Sequence, residues 1–244
     1  MNKILTFIPS YGTNNSDYLK LILKELNSID THEIDIILYT TEDYDFIESD
    51  IDVRKYSRDI KLGLTHEYKS DLLKNIDNYD LFLYLEDDIL FTHKNLITFE
   101  NENKYLPDNY VIGLIRYEEH NGKKYLNEMC KNSGQHSAIP VVGQTGGRYY
   151  FSIENVHQGS FILERRNIKK LMSDNKFIIN FGESLEDAAS NFYKGKWPGS
   201  SNGLNKIYPS DSIDNLMIHH LSNKHSKWES LNLTTVEELK EMIV

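Results

Sequence analysis

Residues Tyr79–Leu85 read YDLFLYL and run directly into Glu86-Asp87-Asp88. A run that is apolar at nearly every position suits a central strand of a parallel sheet, covered on both faces. Three adjacent carboxylates at its end repel one another and are costly at the edge of a buried sheet unless a cation or hydrogen-bond donors compensate. In open parallel sheets ligands bind beyond the carboxyl ends of the strands, where the winding reverses. Alternate residues of an extended segment face the same way, so Glu86 and Asp88 are expected to point together while Asp87 points aside. Carboxylates are hard oxygen ligands suited to Mg²⁺ or Mn²⁺, which bridge a protein acid to a diphosphate. The plain alternative is a loop that turns the chain and caps the next helix.

The flanking pattern supports the strand. Ile4–Ile8 is a short apolar run halted by Pro9-Ser10-Tyr11-Gly12, and Ser16–Asn27 repeats apolar residues at helical spacing with Ser16 as its expected N-cap. Ile34–Tyr39 reads as a second strand, Thr65–Ile76 as a helix, His93–Tyr105 as a helix and Tyr110–Arg116 as a strand. This alternation predicts a doubly wound α/β fold with a mostly parallel central sheet flanked by helices. The second half is less regular. Residues 119–150 are polar and Gly-rich and are expected to form an inserted loop, followed by a strand at Gly159–Leu163 and helices at Arg166–Met172 and Ser184–Tyr193. Lys196–Asn205 reads as a Gly/Ser-rich loop, Ile213–Leu221 as a short apolar segment, and Thr235 to Glu238 as a capping box opening the last helix. With no internal repeat and no obvious linker, residues 1–244 are expected to form one domain, with a regular first half over about 1–118 and a less regular second half over about 119–244.

Composition narrows the function classes. With 27 basic against 37 acidic residues the formal charge is -10, which argues against a broad nucleic-acid surface and leaves room for a local basic pocket. The single Cys130 precludes an intrachain disulfide framework and fits a reducing compartment. The apolar run after Met1 is too short for a signal sequence, and no stretch approaches the ~18–20 apolar residues of a membrane span. The cytoplasm is the expected location, with peripheral attachment at the inner face of a membrane compatible with the same composition.

YDLFLYLEDDILFTHKNL resembles the DXD segment of GT-A-fold glycosyltransferases, in a Glu-Asp-Asp variant. The preceding LTHEYKSDLLKNIDNYD is similar to the helix before that segment in bacterial members, and IDNLMIHHLSN to a late His-bearing segment. The likeness runs from Leu5 to about Asn223, and the 119–150 stretch has no counterpart in it. It implies a nucleotide-sugar donor, UDP- or GDP-linked, and a Mn²⁺ or Mg²⁺ cofactor. Asp88 is implied as metal ligand, with Glu86 on the metal or the donor ribose and Asp87 beside it. One late His is implied as a further ligand, His219 ahead of His220, with His225 as a third option. On the donor side it implies a loop at Pro9 to Tyr11 against the base, with Tyr11 stacking on the ring and Thr41 or Asp43 meeting its edge. Lys69 is the cation expected to reach the diphosphate. In inverting members a carboxylate at a late helix start takes the acceptor proton; here GESLEDAAS offers Glu186, then Asp187. Polar residues of HQGSFIL are expected to face the acceptor, a glycan or a lipid-linked molecule.

Two other readings remain open from the sequence. A nucleotidyltransferase on a related sheet would carry basic residues after the first strand, where PSYGTNNSD has none. A carbohydrate-binding module that has lost catalysis would be expected to have eroded EDD, GESLED or HHL, and all three are present.

Overall fold

In the computed structural model, residues 1–131, 138–145, 148–177, 185–194, 203–227 and 231–243 are described, with backbone alone for 138–145 and 185–186. The first half runs β1 (Lys3–Ser10), α1 (Ser16–Asn27), β2 (Glu33–Thr40), β3 (Asp52–Lys55), a 3-10 segment (Arg58–His66), α2 (Tyr68–Asn75), β4 (Leu81–Leu85), β5 (Ile89–Leu90), α3 (His93–Asn103) and β6 (Tyr110–Ile112). The second half runs β7 (Ile115–His120), β8 (Lys123–Cys130), β9 (Ala138–Thr145), β10 (Arg148–Ile153), β11 (Ser160–Glu164), α4 (Arg165–Ser173) and α5 (Leu185–Ser190). It closes with β12 (Asn205–Pro209), a 3-10 segment (Ser210–Asn215), β13 (Met217–His220), β14 (Leu233–Thr235) and α6 (Val236–Ile243).

The main sheet has the order β11-β4-β1-β2-β3, parallel except for β11. The chain winds outward from β1 through β2 to β3, then returns to lay β4 on the other side of β1. That reversal is the switch point of a doubly wound sheet. The carboxyl ends of β1 and β4 lie side by side there, with Phe7 opposite Tyr84 in the register. Every residue of β4 is buried, as its unbroken apolar run predicts. Pro9 sits inside β1 opposite Tyr39, beyond the last residue that β4 pairs, so its missing donor interrupts no ladder on that side.

The α1 boundaries match the periodicity, with Leu19, Ile22, Leu23 and Leu26 buried. Ser16 is the first helical residue and not the cap. Asn15 precedes it, makes no capping bond and sends its amide elsewhere. The expected helix at Thr65–Ile76 divides into a 3-10 turn and α2. A single strand at Tyr110–Arg116 also fails to form. Gly113 stands between β6, which pairs with β12, and β7, which pairs with β13 and β8; a Cβ there would lie 2.4 Å from the Tyr208 ring and 2.7 Å from the Lys206 stem.

The expected loop over 119–150 is instead mostly strand. β7 and β8 form a hairpin across Asn121-Gly122, both at positive φ (50° and 73°), with His120 opposite Lys123. An Asn-Gly pair accommodates a two-residue turn whose twist matches the flanking strands. β8 and β7 belong to a sheet of order β14-β8-β7-β13-β5, and β9 and β10 to a third of order β6-β12-β10-β9. A second apolar cluster forms beneath them, around Leu126, Met129, Phe151, Ile153, Tyr208 and Leu239. The final capping box is formed: Thr235 N donates to Glu238 Oε2 at 2.8 Å, and Glu238 N to Thr235 Oγ1 at 3.2 Å. Most of the Lys196–Asn205 loop lies outside the described residues. No helix among the described residues is long and apolar enough to cross a membrane.

Candidate active site

The acidic triplet joins two sheets. β4 ends at Leu85, and β5 begins at Ile89 and pairs antiparallel with β13, placing His220 opposite Ile89. Leu221 N donates to the Asp88 carbonyl at 2.8 Å. The pairing of a two-residue strand thus brings a histidine from late in the chain onto the end of the central strand. β13 also runs parallel to β7, with His219 opposite Tyr117. Because strand faces alternate, His219 and Tyr117 share one face and His220 and Glu118 the other.

His220 is the histidine that meets the carboxylates. Its Nε2 lies 2.9 Å from Asp88 Oδ2 and its Nδ1 donates to Glu118 Oε1 at 2.5 Å. His219 turns away, stacking on Tyr117 (centroids 4.8 Å apart, planes 7° apart) with Nε2 3.1 Å from Asn223 Oδ1. Glu118 is fully buried and satisfied by protein: it accepts from Asn127 Nδ2 at 2.9 Å and from Ser226 N at 2.5 Å, and His225 Nδ1 lies 3.1 Å away. Burial works against both charges. The hydrogen bonds prevail, holding Asp88 below its ordinary value and His220 above its own, and Glu118 is driven far down by His220, His225, Ser226 and Asn127.

Asp87 points the other way, toward the first strand. It accepts from Ser10 Oγ and Asn15 Nδ2, each at 2.7 Å. These two donors stand in for a cap and bind the end of β1 to the end of β4 across the switch point. Even so, burial pushes the Asp87 carboxyl up to about 6. Glu86 N donates to the Gly159 carbonyl at 2.9 Å. Gly159 has φ +60°, and a Cβ on it would come within 2.6 Å of Glu86 Oε2. Glycine is therefore required on two counts, backbone conformation and the seat of the Glu86 side chain. Burial raises the Glu86 carboxyl to about 7, with Arg116 opposing and Asp88 adding to the rise.

Arg116 lies beneath the triplet, buried, its Nε donating to Glu128 Oε1 at 2.8 Å. Lys206 is a second buried cation that feels Glu128, and burial lowers its ammonium to about 7. Five carboxylates, Glu86, Asp87, Asp88, Glu118 and Glu128, thus share the region with Arg116, Lys206 and His220. Carboxylates outnumber cationic groups here, an imbalance that a bound divalent cation would relieve. The donor chemistry suits one: carboxylate oxygens and an imidazole nitrogen are ligands for a small divalent ion, and Asp88 Oδ2 and His220 Nε2 stand 2.9 Å apart in a direct hydrogen bond. Glu118, His220 and His225 also bring one ligand atom each within 4.8 Å of one another, a group able to hold a metal ion.

The expected nucleotide-side residues gather at the end of β1. Tyr11 is half exposed, its hydroxyl donating to the Arg58 carbonyl at 3.1 Å. Thr41 is buried, accepting from Gly12 N at 3.0 Å, and Tyr44 donates to the Gly12 carbonyl at 2.6 Å. Asp43 projects outward and pairs with Lys55. Lys69 is not on the surface but 2% exposed; burial lowers its ammonium to about 8, opposed by the charge of Asp187. Asp187 is half-buried in the first turn of α5, and the Glu186 side chain lies outside the described residues. α5 is held by Tyr68, whose hydroxyl donates to the Ala188 carbonyl at 2.7 Å, and by an aromatic cluster of Tyr68, Tyr84, Phe161 and Phe192. His157 Nδ1 lies 3.2 Å from Ser190 Oγ on the same helix. Gln158 is fully buried and donates to Tyr208.

Sequence reasoning missed Ser10, Asn15, Arg116, Glu118, Glu128, Lys206 and Lys224, the last an exposed cation whose charge reaches Asp88. The signal for three of them was a charge set among strand-forming apolar residues, as in VIGLIRYEEH, YLNEMC and NKIYP. A separate cavity of about 390 Å³ lies between α4 and β12, lined by Asn109, Lys170, Lys194 and Asn205 among others. None of the five carboxylates above lines it, and its own Asp174 pairs with Lys170 and Lys176.

The Glu86 acidity makes a direct test of buried charge. Between about 4.5 and 7 the folded state binds more protons at Glu86 than the unfolded chain does, so this residue's contribution to stability falls as pH rises through that window. Glu86→Gln removes the penalty. Without metal, it should match the parent near pH 4.5 and exceed it above pH 7, by up to about 3 kcal/mol at 1.36 kcal/mol per pKa unit. Thermal melts of both proteins in chelator at pH 5 and pH 8 check this; equal melting temperatures at pH 8 would contradict it.

No family model matches the chain, and no curated protein matches it. Among solved structures, an active-site mutant of LgtC matches with a TM-score of 0.37 and 14% identity, over 68% of this chain and 59% of that one. The chain therefore spans less than two thirds of that protein, and a likeness at this score decides neither fold nor activity. What defines the class is the molecule's own topology, an α/β protein with a mostly parallel central sheet whose switch point carries a buried cluster of carboxylates and a histidine.

Proposed function

We propose that the chain is a metal-dependent glycosyltransferase, moving a sugar from a UDP- or GDP-sugar to a glycan or lipid-linked acceptor. The observation that carries this reading is the convergence of Asp88 and His220 Nε2 at the β1/β4 switch point, beside Glu86 and Asp87, whose carboxyls burial pushes up to about 7 and about 6. Asp88 and His220 would hold the cation, with Glu86 adjoining. Glu118 suits an orienting role better than a ligand's, because it is sealed from solvent and saturated by protein donors. When bound, the cation neutralises the leaving diphosphate.

The chain's own groups carry the remaining roles. Tyr11 offers a half-exposed ring to the base, and Thr41 stands beside it. Lys224 supplies an exposed positive charge near Asp88 for the diphosphate, while Lys69 on α2 is buried and coupled electrostatically to Asp187. His220 must shed its Nε2 proton to act as ligand, while its Nδ1–H to Glu118 fixes the ring. Asp187 is within electrostatic reach of Lys69, so Glu186 is the proposed base that takes the acceptor proton, in an inverting displacement.

The experiment is a screen of the purified chain against UDP- and GDP-sugars with Mn²⁺, reading slow hydrolysis of the donor. Metal-dependent release of the nucleoside diphosphate from one of them supports the reading. Pyrophosphate release from a nucleoside triphosphate in the presence of a sugar phosphate, with a nucleotide sugar as product, would instead favour a nucleotidyltransferase.

A further inference from the structure

We infer that Lys206 is a positioning residue for Glu86, acting through a closed circuit of hydrogen bonds and electrostatic couplings that joins all three sheets to the acidic triplet. The inference rests on the metal-dependent reading above. Starting from Glu86 at the end of β4, the circuit passes electrostatically to Arg116 on β7. It continues through the 2.8 Å hydrogen bond to Glu128 on β8, and from there electrostatically to Lys206 on β12. Lys206 Nζ donates to the Val156 carbonyl at 2.8 Å. Three residues later the chain reaches Gly159, whose carbonyl accepts from Glu86 N and whose bare Cα seats the Glu86 carboxylate.

Packing alone does not call for a charge at this place. Lys206 is 4% exposed, and its ammonium lies 4.5 Å from the centre of the Tyr193 ring. A methionine would fill the same volume without the desolvation cost. Gly113 makes room for the lysine stem, since a Cβ there would come within 2.7 Å of Lys206 Cε. What the ammonium adds is a fixed donor for Val156. The segment Val156–Gly159 also carries His157, which reaches Ser190 on α5. Movement of that segment shifts the Gly159 carbonyl and the space available to Glu86, and so the arrangement of acids around the cation.

The test is binding of Mn²⁺ alone, followed by electron paramagnetic resonance, in the full chain, Lys206→Met and Glu128→Gln, each with its melting temperature. The expected result is Mn²⁺ binding weakened at least about tenfold in Lys206→Met, in the range for lost supporting contacts, with no fall in melting temperature. A purely structural lysine would move the melting temperature and leave the affinity alone, and parent-like affinity in a folded Lys206→Met overturns the inference while leaving the metal reading intact. If Lys206→Met does not fold, Glu128→Gln decides: weakened Mn²⁺ binding supports the circuit and unchanged binding overturns it. If the parent itself binds no Mn²⁺, the metal reading and this inference fall together.

Discussion

In Asp88→Asn, Mn²⁺-dependent transfer is expected to fall by at least about a hundredfold while the fold persists. The substitution keeps the volume and removes the anionic ligand that faces His220 Nε2 at 2.9 Å. Losing a contact that merely orients a ligand costs 10–100-fold in metal affinity or activity, and Asp88 is proposed as a ligand itself. The variant also removes a partner that holds the His220 imidazolium up, so His220 should titrate at lower pH than in the parent. Circular dichroism establishes the fold, and turnover against Mn²⁺ concentration gives the effect. Parent-like turnover at limiting Mn²⁺ would remove Asp88 from the metal site.

The second large effect is expected at Glu186. General-base assistance to an attacking hydroxyl is worth about 10²–10⁴-fold in rate. Glu186→Gln should lower single-turnover transfer by about that factor with nucleotide binding nearly unchanged, the mark of an interaction made in the transition state. Asp187→Asn serves as the comparison: Asp187 stands within reach of the Lys69 charge, and its loss should disturb Lys69 as well. Transfer at the parent rate in Glu186→Gln, or a product with retained anomeric configuration, would end the base assignment and the inverting mechanism. The metal site does not depend on that outcome.

The parts of this molecule legible in its sequence are those whose signal is local. YDLFLYL gives the central strand because a strand buried on both faces must be apolar throughout, and the site lies at its end because the winding reverses there. Ser16–Asn27 gives α1 because helical spacing is written in the residues themselves. The hairpin over 119–130 was also legible, since Asn121-Gly122 is a strong turn signal; the polarity of the surrounding residues conceals it. Which of His219 and His220 meets Asp88 was not legible. The answer depends on which face of β13 turns inward, and that is set by pairing with β5 and β7, some 100 residues away in the chain. Arg116, Glu128 and Lys206 likewise become intelligible only together. Each is an anomaly within its own strand, and the compensation for each comes from another strand.

Two sequence expectations change meaning in the fold. Lys69, on a helix where an isolated lysine would ordinarily be exposed, is buried with its ammonium held down by desolvation. Asn15, next to the expected cap, binds Asp87 and not the helix, so the start of α1 is given over to fixing the acidic triplet.

The central claim is that this triplet and His220 bind a divalent cation together with a nucleoside diphosphate. Isothermal titration of UDP and of GDP into the full chain, with Mn²⁺ and then with chelator, tests it most directly. The account predicts binding of one of the two nucleotides with Mn²⁺, lost in chelator and in His220→Ala. Binding of neither nucleotide with Mn²⁺, or equal affinity with and without it, would contradict the account.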